Sequence, residues 1–235
     1  MPIEGKPSMT IQSYGMFCGL AKAVEIIGSR WSVTIIRDLI LGPKRVADLR
    51  ETTPGISSAD LDARLDELET AGVVHRGGRD DRATVELTGY GRDLEPILLQ
   101  LGRWGARALG DPRPGDIFTL DMAILALRAT FRPERAAGVH AGFELWFGPM
   151  VVHALVDDGA LTVREGTLPG ADLVINSPVL KHMMAGELSP TDALWLELVE
   201  TKGNPRLLST FVELFHIPPA PERPAFALSE GRAGA

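Results

Sequence analysis

A single cysteine, Cys18, stands among 235 residues, which rules out a disulfide within one chain and a cysteine-based zinc cluster. No apolar run approaches the roughly 20 residues needed to span a bilayer, so no membrane partner is expected. The opening stretch MPIEGKPSMTIQS lacks the basic and apolar regions of a secretory signal, and with the lone cysteine this points to a cytoplasmic location. Histidines are few and scattered. His75, His140, His153, His182 and His216 show no HExxH or His/carboxylate metal spacing. P-loop, GxGxxG and GxSxG motifs are missing too. His153 and Asp157 can meet along a strand, but such a pair more often satisfies local hydrogen bonds. The expectation is therefore no catalytic residue, no metal, no cofactor and no enzyme activity. A surplus of positive charge is also missing. The net charge of −7 argues against general coating of nucleic acid, while leaving room for one module with its basic residues on one face.

What is present describes an ordinary globular chain, 45% hydrophobic and 23% charged, long enough for one large domain or two of usual size. Charge is unevenly divided. Residues 1–110 carry 14 Lys+Arg against 15 Asp+Glu, and the remaining 125 carry 10 against 16. Gly110-Asp-Pro-Arg-Pro-Gly115 is the natural boundary, a Pro/Gly-rich stretch between two apolar-periodic segments. Domains are expected at 12–110 and 116–216, followed by an extended or disordered tail at 217–235 rich in proline and small residues.

In the first half, Phe17, Leu20, Val24 and Ile27 fall at helical spacing with Gly28 as a stop, and Trp31–Leu41 is a second apolar helix ended by Gly42-Pro43. Arg45–Thr52 is a short helix, Thr53-Pro54-Gly55 a turn, and Ser57–Ala71 a helix with Leu61, Leu65 and Leu68 on one stripe. Val73–Arg76 and Thr84–Leu87 pair as a hairpin around a loose basic tip. Thr88 caps a final long helix carrying Leu94, Ile97, Leu98, Leu101, Trp104 and Ala108. This order is that of a winged helix-turn-helix, in which one short helix props a second into the major groove while the hairpin reaches along the backbone. Units of this pattern also serve as protein-interaction modules.

Cys18-Gly-Leu-Ala-Lys-Ala-Val, Gly28-Ser-Arg-Trp31, Leu41-Gly-Pro-Lys-Arg45, Pro54-Gly-Ile-Ser57, Arg64-Leu-Asp-Glu-Leu68, Gly72-Val-Val and Leu87-Thr-Gly-Tyr-Gly91 resemble the HxlR family of bacterial winged-helix transcription regulators, from about Cys18 to Gly105. The resemblance implies a homodimer, assembled through the N-terminal and last helices of this half, on a two-fold operator in double-stranded DNA. Phe17, Leu20, Leu98, Leu101 and Trp104 offer more apolar surface than a small unit needs, in keeping with such a dimer. Bases would be read by Ser57, Ser58, Arg64 and an Asp accepting from cytosine N4, while Lys44, Arg45 and the wing's Arg76, Arg79 and Arg82 would meet phosphates. Alternatively, the wing arginines form a solvated turn with Asp80 and Asp81. One departure stands out. Opposite the leucine stripe lie Ala59, Asp62, Ala63, Asp66 and Glu67, where the family usually has a basic or long polar residue near Ala59.

The second half reads as a helix to Phe131, strands at Val139–Phe147, Val151–Asp157, Leu161–Glu165 and Leu173–Asn176, helices at Pro178–Ala185 and Pro190–Leu198, a strand at Leu198–Lys202, and a helix at Arg206–Phe215. The fold class is thus α+β: a winged helix-turn-helix, then a mostly antiparallel sheet with covering helices. Gly170-Ala-Asp-Leu-Val-Ile-Asn-Ser, Ala185-Gly-Glu, Ser189-Pro-Thr-Asp-Ala and the Gly203-Asn helix resemble the sterol carrier protein 2-like fold over roughly 116–216. That resemblance implies an apolar tunnel holding a hydrophobic small-molecule effector. Phe143, Leu145 and Phe147 share one strand face, with Met183, Met184, Trp195 and Leu198 on the helices opposite. These seven are either the ligand site or a simple packed core.

Cys18 carries two readings. The resemblance to the HxlR family implies a sensor of electrophiles or oxidants that bonds between subunits, its thiolate helped by Lys22 and a helix start, while the position beside Phe17 and Leu20 equally suits buried packing. The function expected is a homodimeric DNA-binding regulator, a repressor, whose second domain binds a hydrophobic effector. The alternative is a lipid or small-molecule carrier whose winged helix only dimerises, which the acidic recognition helix favours.

Overall fold

In the computed structural model, residues 13–78, 80 and 82–219 are described. Their contacts form two units. One comprises the residues up to Gly102 together with Arg113–Ala129; the other comprises Arg103–Pro112 and the residues from Thr130 onward.

The first unit is built on α1 (Gly19–Ile27), α2 (Ser32–Leu39), β1 (Lys44–Arg45), α3 (Val46–Thr52), α4 (Ser58–Thr70), β2 (Val74–Arg76) and β3 (Thr84–Leu87). Ile35, Ile36 and Leu39 of α2, Leu49 of α3, the Leu61/Leu65/Leu68 stripe of α4, and Val73, Val85 and Leu87 of the hairpin close one core, each almost fully buried. The i, i+4, i+7 spacing of the α4 leucines makes that stripe possible. Asp38 of α2 is buried in the same layer, accepting from the Arg37 guanidinium at 2.7 Å and from the Thr52 hydroxyl of α3 at 2.6 Å. A buried carboxylate needs such partners, and here they fix α3 against α2. β1 joins β3 as Lys44↔Val85 and Arg45↔Thr84, giving a three-stranded sheet in the order β1-β3-β2. Two residues are too few to show a strand period in sequence.

Thr88 does cap a helix, its hydroxyl accepting from Gly91 N–H at 3.0 Å, but that helix, α5 (Gly89–Arg92), is only one turn long. A new one, α6 (Glu95–Ala106), starts at Glu95-Pro96. Proline has no N–H to donate and is tolerated only in a helix's first turn, so one long helix from Thr88 is broken here. α7 (Leu120–Thr130) groups with this unit rather than with the second half. Leu125 enters its core, Asp121 meets Lys44 at 2.6 Å, and Arg128 pairs with Glu95 of α6.

The second unit contains β4 (His140–Phe147), β5 (Met150–Asp157), β6 (Ala160–Glu165), β7 (Leu173–Asn176), α8 (Leu180–Met184), α9 (Pro190–Trp195), β8 (Glu200–Gly203) and α10 (Leu207–Leu214). The sheet order is β6-β5-β4-β7-β8. β4–β5, β5–β6 and β7–β8 pair antiparallel, while β4–β7 is parallel. Asp158 and Gly159 both take positive φ, +46° and +87°, as a tight hairpin turn between β5 and β6 requires. Alternate residues of the strands, among them Phe143, Leu145, Val152, Ala154, Leu173 and Ile175, are buried with Leu180, Met183 and Met184 of α8 and Leu208, Phe211 and Leu214 of α10. Phe143, Phe211 and Phe215 form the aromatic centre, with ring centroids 4.6–6.4 Å apart.

Candidate nucleic-acid interface

α3, the turn at 53–57 and α4 form a helix-turn-helix, with β2 and β3 as the wing. Gly55 takes φ +82° in the turn, and Ile56 plugs it into the core. Ser57 caps α4. Its hydroxyl accepts from Asp60 N–H at 3.0 Å and donates to the Asp60 carboxylate at 2.7 Å. That double engagement makes Ser57 a cap first. Ser58 and Ala59 follow, both exposed.

Two sequence-assigned arginines turn out to be committed elsewhere. Arg64 forms an ion pair with Glu67, one turn along α4, and is half-buried. Arg76 is not an open phosphate contact: its side chain is 2% exposed, with one nitrogen 2.6 Å from Asp62 and another 3.6 Å from Asp66. Its backbone N–H also donates to Glu69. The inward alternation of β2 buries Arg76 with Val74 and leaves His75 outside. Arg76 therefore clamps the wing to the acidic side of α4, a tertiary arrangement with no local sequence signal.

The remaining basic residues are more accessible. Arg45 is exposed and bidentate on Asp48 at 2.6 and 3.0 Å, within a capping box at the start of α3. Lys44 is half-buried against Asp121. Arg82 is exposed, with its backbone N–H on the Asp80 carboxylate at 3.0 Å. Arg79 and Asp81 lie outside the described residues.

A second feature is apolar. Phe17, Leu20 and Val24 of the α1 region are exposed, as are Ile97, Leu101 and Trp104 along one face of α6. Leu98, assigned from sequence to the same surface, is 8% exposed and belongs to the core. Ile97 takes its place, and the i, i+4, i+7 spacing of 97, 101 and 104 was the signal for it.

Cys18 sits at the N-cap of α1 and is exposed, which removes the packing reading. The backbone N–H groups of Ala21, first, and Leu20 hold its thiol below the ordinary range for cysteine. Lys22 does not take part in this; it pairs with Glu25 at 3.1 Å. Cys18 is thus expected to be alkylated by iodoacetamide with a pH midpoint below the ~8.5 of a free thiol. Lys22→Ala should leave that midpoint in place. A midpoint at or above the free value would contradict the cap assignment.

In the second unit, Phe143 and Leu145 are fully buried, Met183 and Met184 nearly so, and Phe147 is half-buried. Trp195, placed from sequence on a lid over them, is instead 80% exposed at the end of α9, and Leu198 is 37% exposed. α9 stops at Trp195, a turn earlier than its sequence suggests, so these two side chains do not join the others. Trp195→Ala is accordingly expected to change stability by no more than about 0.5 kcal/mol, rather than the several kcal/mol of a core tryptophan. A urea titration showing a loss above about 2 kcal/mol would place the indole back in the core.

A short helix, a turn, a capped second helix and an antiparallel wing define the winged helix-turn-helix class. The chain belongs to the HxlR-like helix-turn-helix family, whose pattern matches residues 26–112. It is 38% identical over 95 residues to the uncharacterized HTH-type transcriptional regulator YtcD of Bacillus subtilis (strain 168), covering 37% of this chain and 75% of YtcD. It is 30% identical over 95 residues to the uncharacterized HTH-type transcriptional regulator sll1512 of Synechocystis, covering 39% of this chain and 70% of that one. Among solved structures, the redox regulator HypR in its oxidized form is 34% identical, with 40% of this chain and all of that one covered and a TM-score of 0.36. These relatives are transcriptional regulators, not enzymes.

Proposed function

We propose that the protein is a homodimeric transcription regulator that binds a two-fold operator in double-stranded DNA and represses there. The observation that carries this reading is the helix-turn-helix frame: α4 capped at Ser57, seated on the core by Leu61, Leu65 and Leu68, and clamped to its wing by Arg76. The apolar faces of α1 and α6 support the dimer, because solvent-exposed patches of this kind mark interaction surfaces. The proposed modules are 12–110 for DNA binding and dimerisation and 116–216 for effector binding, with α7 at the start of the second packed into the first unit. Phosphate contacts fall to Arg45, Arg82, Arg79 and Lys44, and bases to the first two turns of α4. Removing Arg79 and Arg82 together should weaken binding to all sequences alike and lower the slope of log affinity against log salt by about two. An unchanged slope would assign both to solvent.

In this reading the second unit, which resembles a sterol carrier, is the sensor. A hydrophobic molecule would enter beside Phe143, Leu145, Met183 and Met184. The methionines are the side chains best able to repack around it. To change operator affinity, the ligand must bind one conformation of the protein better than another. Melting the protein with a panel of apolar compounds tests the role. A raised melting temperature together with altered operator binding supports it, and no effect from any compound removes it.

One observation favours the carrier alternative: α4 bears Asp60, Asp62, Asp66, Glu67 and Glu69 against a single Arg64. Each has a partner nearby. Asp60 is held by Ser57, Glu67 by Arg64, Glu69 by the Arg76 backbone, and Asp62 and Asp66 by the Arg76 guanidinium. The repulsion of phosphates is damped accordingly. A gel shift with the protein's own upstream DNA separates the two readings.

A further inference from the structure

The acidic side of α4 has a specific geometry at Asp62. On the helical wheel, Ala59, Ala63 and Thr70 point directly away from the leucine stripe, and Asp66 and then Asp62 follow on the flank nearer the wing. Its side chain is 49% exposed. Arg76 takes one carboxylate oxygen, Oδ1, at 2.6 Å, while Oδ2 accepts no hydrogen bond from any described residue. Arg76 itself is enclosed, and its Nε has no partner among the described residues. The arginine is thus spent on orienting Asp62 and offsetting its charge, and is withheld from solvent. Toward the outer face Ala59 and Ala63 add no bulk beyond a methyl, and Asp66, one turn along and also half-exposed, is drawn toward Arg76 at 3.6 Å, so a base edge can come close to Oδ2 from the alanine side.

Resting on the DNA-binding reading above, we propose that Asp62 is a specificity-determining residue that selects cytosine in each half-site by accepting a hydrogen bond from its N4 amino group. A carboxylate ionised at neutral pH only accepts. In the major groove, cytosine presents a lone donor. Guanine shows two acceptors and thymine one acceptor and a methyl, while adenine sets the N7 acceptor beside its N6 donor. Acceptor against acceptor repels, so an acceptor-only side chain held in place discriminates for cytosine. The flanking alanine methyls suit a neighbouring thymine methyl. Arg76 is a positioning residue in this arrangement and touches no base.

The test is selection from a random duplex library with the full-length wild type, Asp62→Asn and Asp62→Ala, each checked for a cooperative melt. Asp62→Asn keeps an acceptor oxygen for Arg76 and decides the matter if the alanine variant does not fold. The wild type should enrich a half-site with cytosine at one position, preferred about tenfold. With its oxygen held by Arg76, Asn presents only its NH2 donors where Oδ2 stood, so Asp62→Asn should abolish the cytosine preference and turn selection toward a base that shows acceptors, guanine or thymine. Asp62→Ala should cut discrimination there to about twofold and leave the other positions unchanged. Affinity for duplexes that lack the cytosine should rise in both variants as a negative charge leaves the phosphate surface, while affinity for the wild-type half-site should not. Retention of the wild-type motif by both variants overturns the role of Asp62. If the wild type binds DNA but enriches no sequence, base reading by α4 fails. If it binds no DNA at all, the proposed function itself falls.

Discussion

Replacing Asp62 and Asp66 together by alanine is expected to destabilise the first unit by about 3 kcal/mol, whereas Arg76→Met should cost about 1 kcal/mol or less. The asymmetry follows from where each charge sits. Both carboxylates are about half exposed, and stripped of Arg76 they can hydrate in place. The guanidinium, 2% exposed, cannot, and without its partners it becomes a buried charge with nothing to offset it. Methionine fills much of the volume of the arginine stem and leaves no such charge behind. Urea titration of the three proteins distinguishes the outcomes. Equal losses, or a double variant within about 0.5 kcal/mol of wild type, would mean that water reaches Arg76 and that the wing is held by other contacts.

The second large effect concerns assembly. Leu20→Glu combined with Leu101→Glu places charge in the middle of the two exposed apolar faces while leaving the core of the first unit untouched, because neither side chain contributes to it. The double variant should fold, run as a monomer in light scattering at micromolar concentration, and lose at least about 100-fold in operator affinity. The loss arises because the second half-site is no longer bound at the high effective concentration that a linked copy supplies. A wild type that is already monomeric would remove the dimer from the proposal. A monomeric variant with full affinity would show that one copy suffices.

What could be read from the residues alone follows the range of the interactions. The α4 stripe, the Ser57 cap, the Thr88 cap and the order of the β4–β6 meander are local patterns, and each is found where the sequence puts it. Departures come where distant residues decide. Ile97 and Leu98 are neighbours of like hydrophobicity; the spacing of Ile97 with Leu101 and Trp104 separates them, but which of the two faces the core is decided by the packing of α6. Arg76 looks like any basic wing residue until α4 brings Asp62 and Asp66 to it across 14 and 10 positions of sequence. Trp195 suggests a buried lid by its size, yet α9 ends beneath it. The parallel pairing of β4 with β7 has no signature in either strand, since both are apolar on alternate positions whichever neighbour they choose.

DNA footprinting across the region upstream of the protein's own coding sequence tests the central claim most directly. A dimer carrying one α4 per copy should protect two half-sites in inverted repeat, their centres about one helical turn, roughly 10 base pairs, or a multiple apart. Protection should weaken steeply as salt is raised. Uniform weak protection with no repeat, or none at low salt, would contradict a sequence-reading regulator and leave the winged helix as a dimerisation module alone.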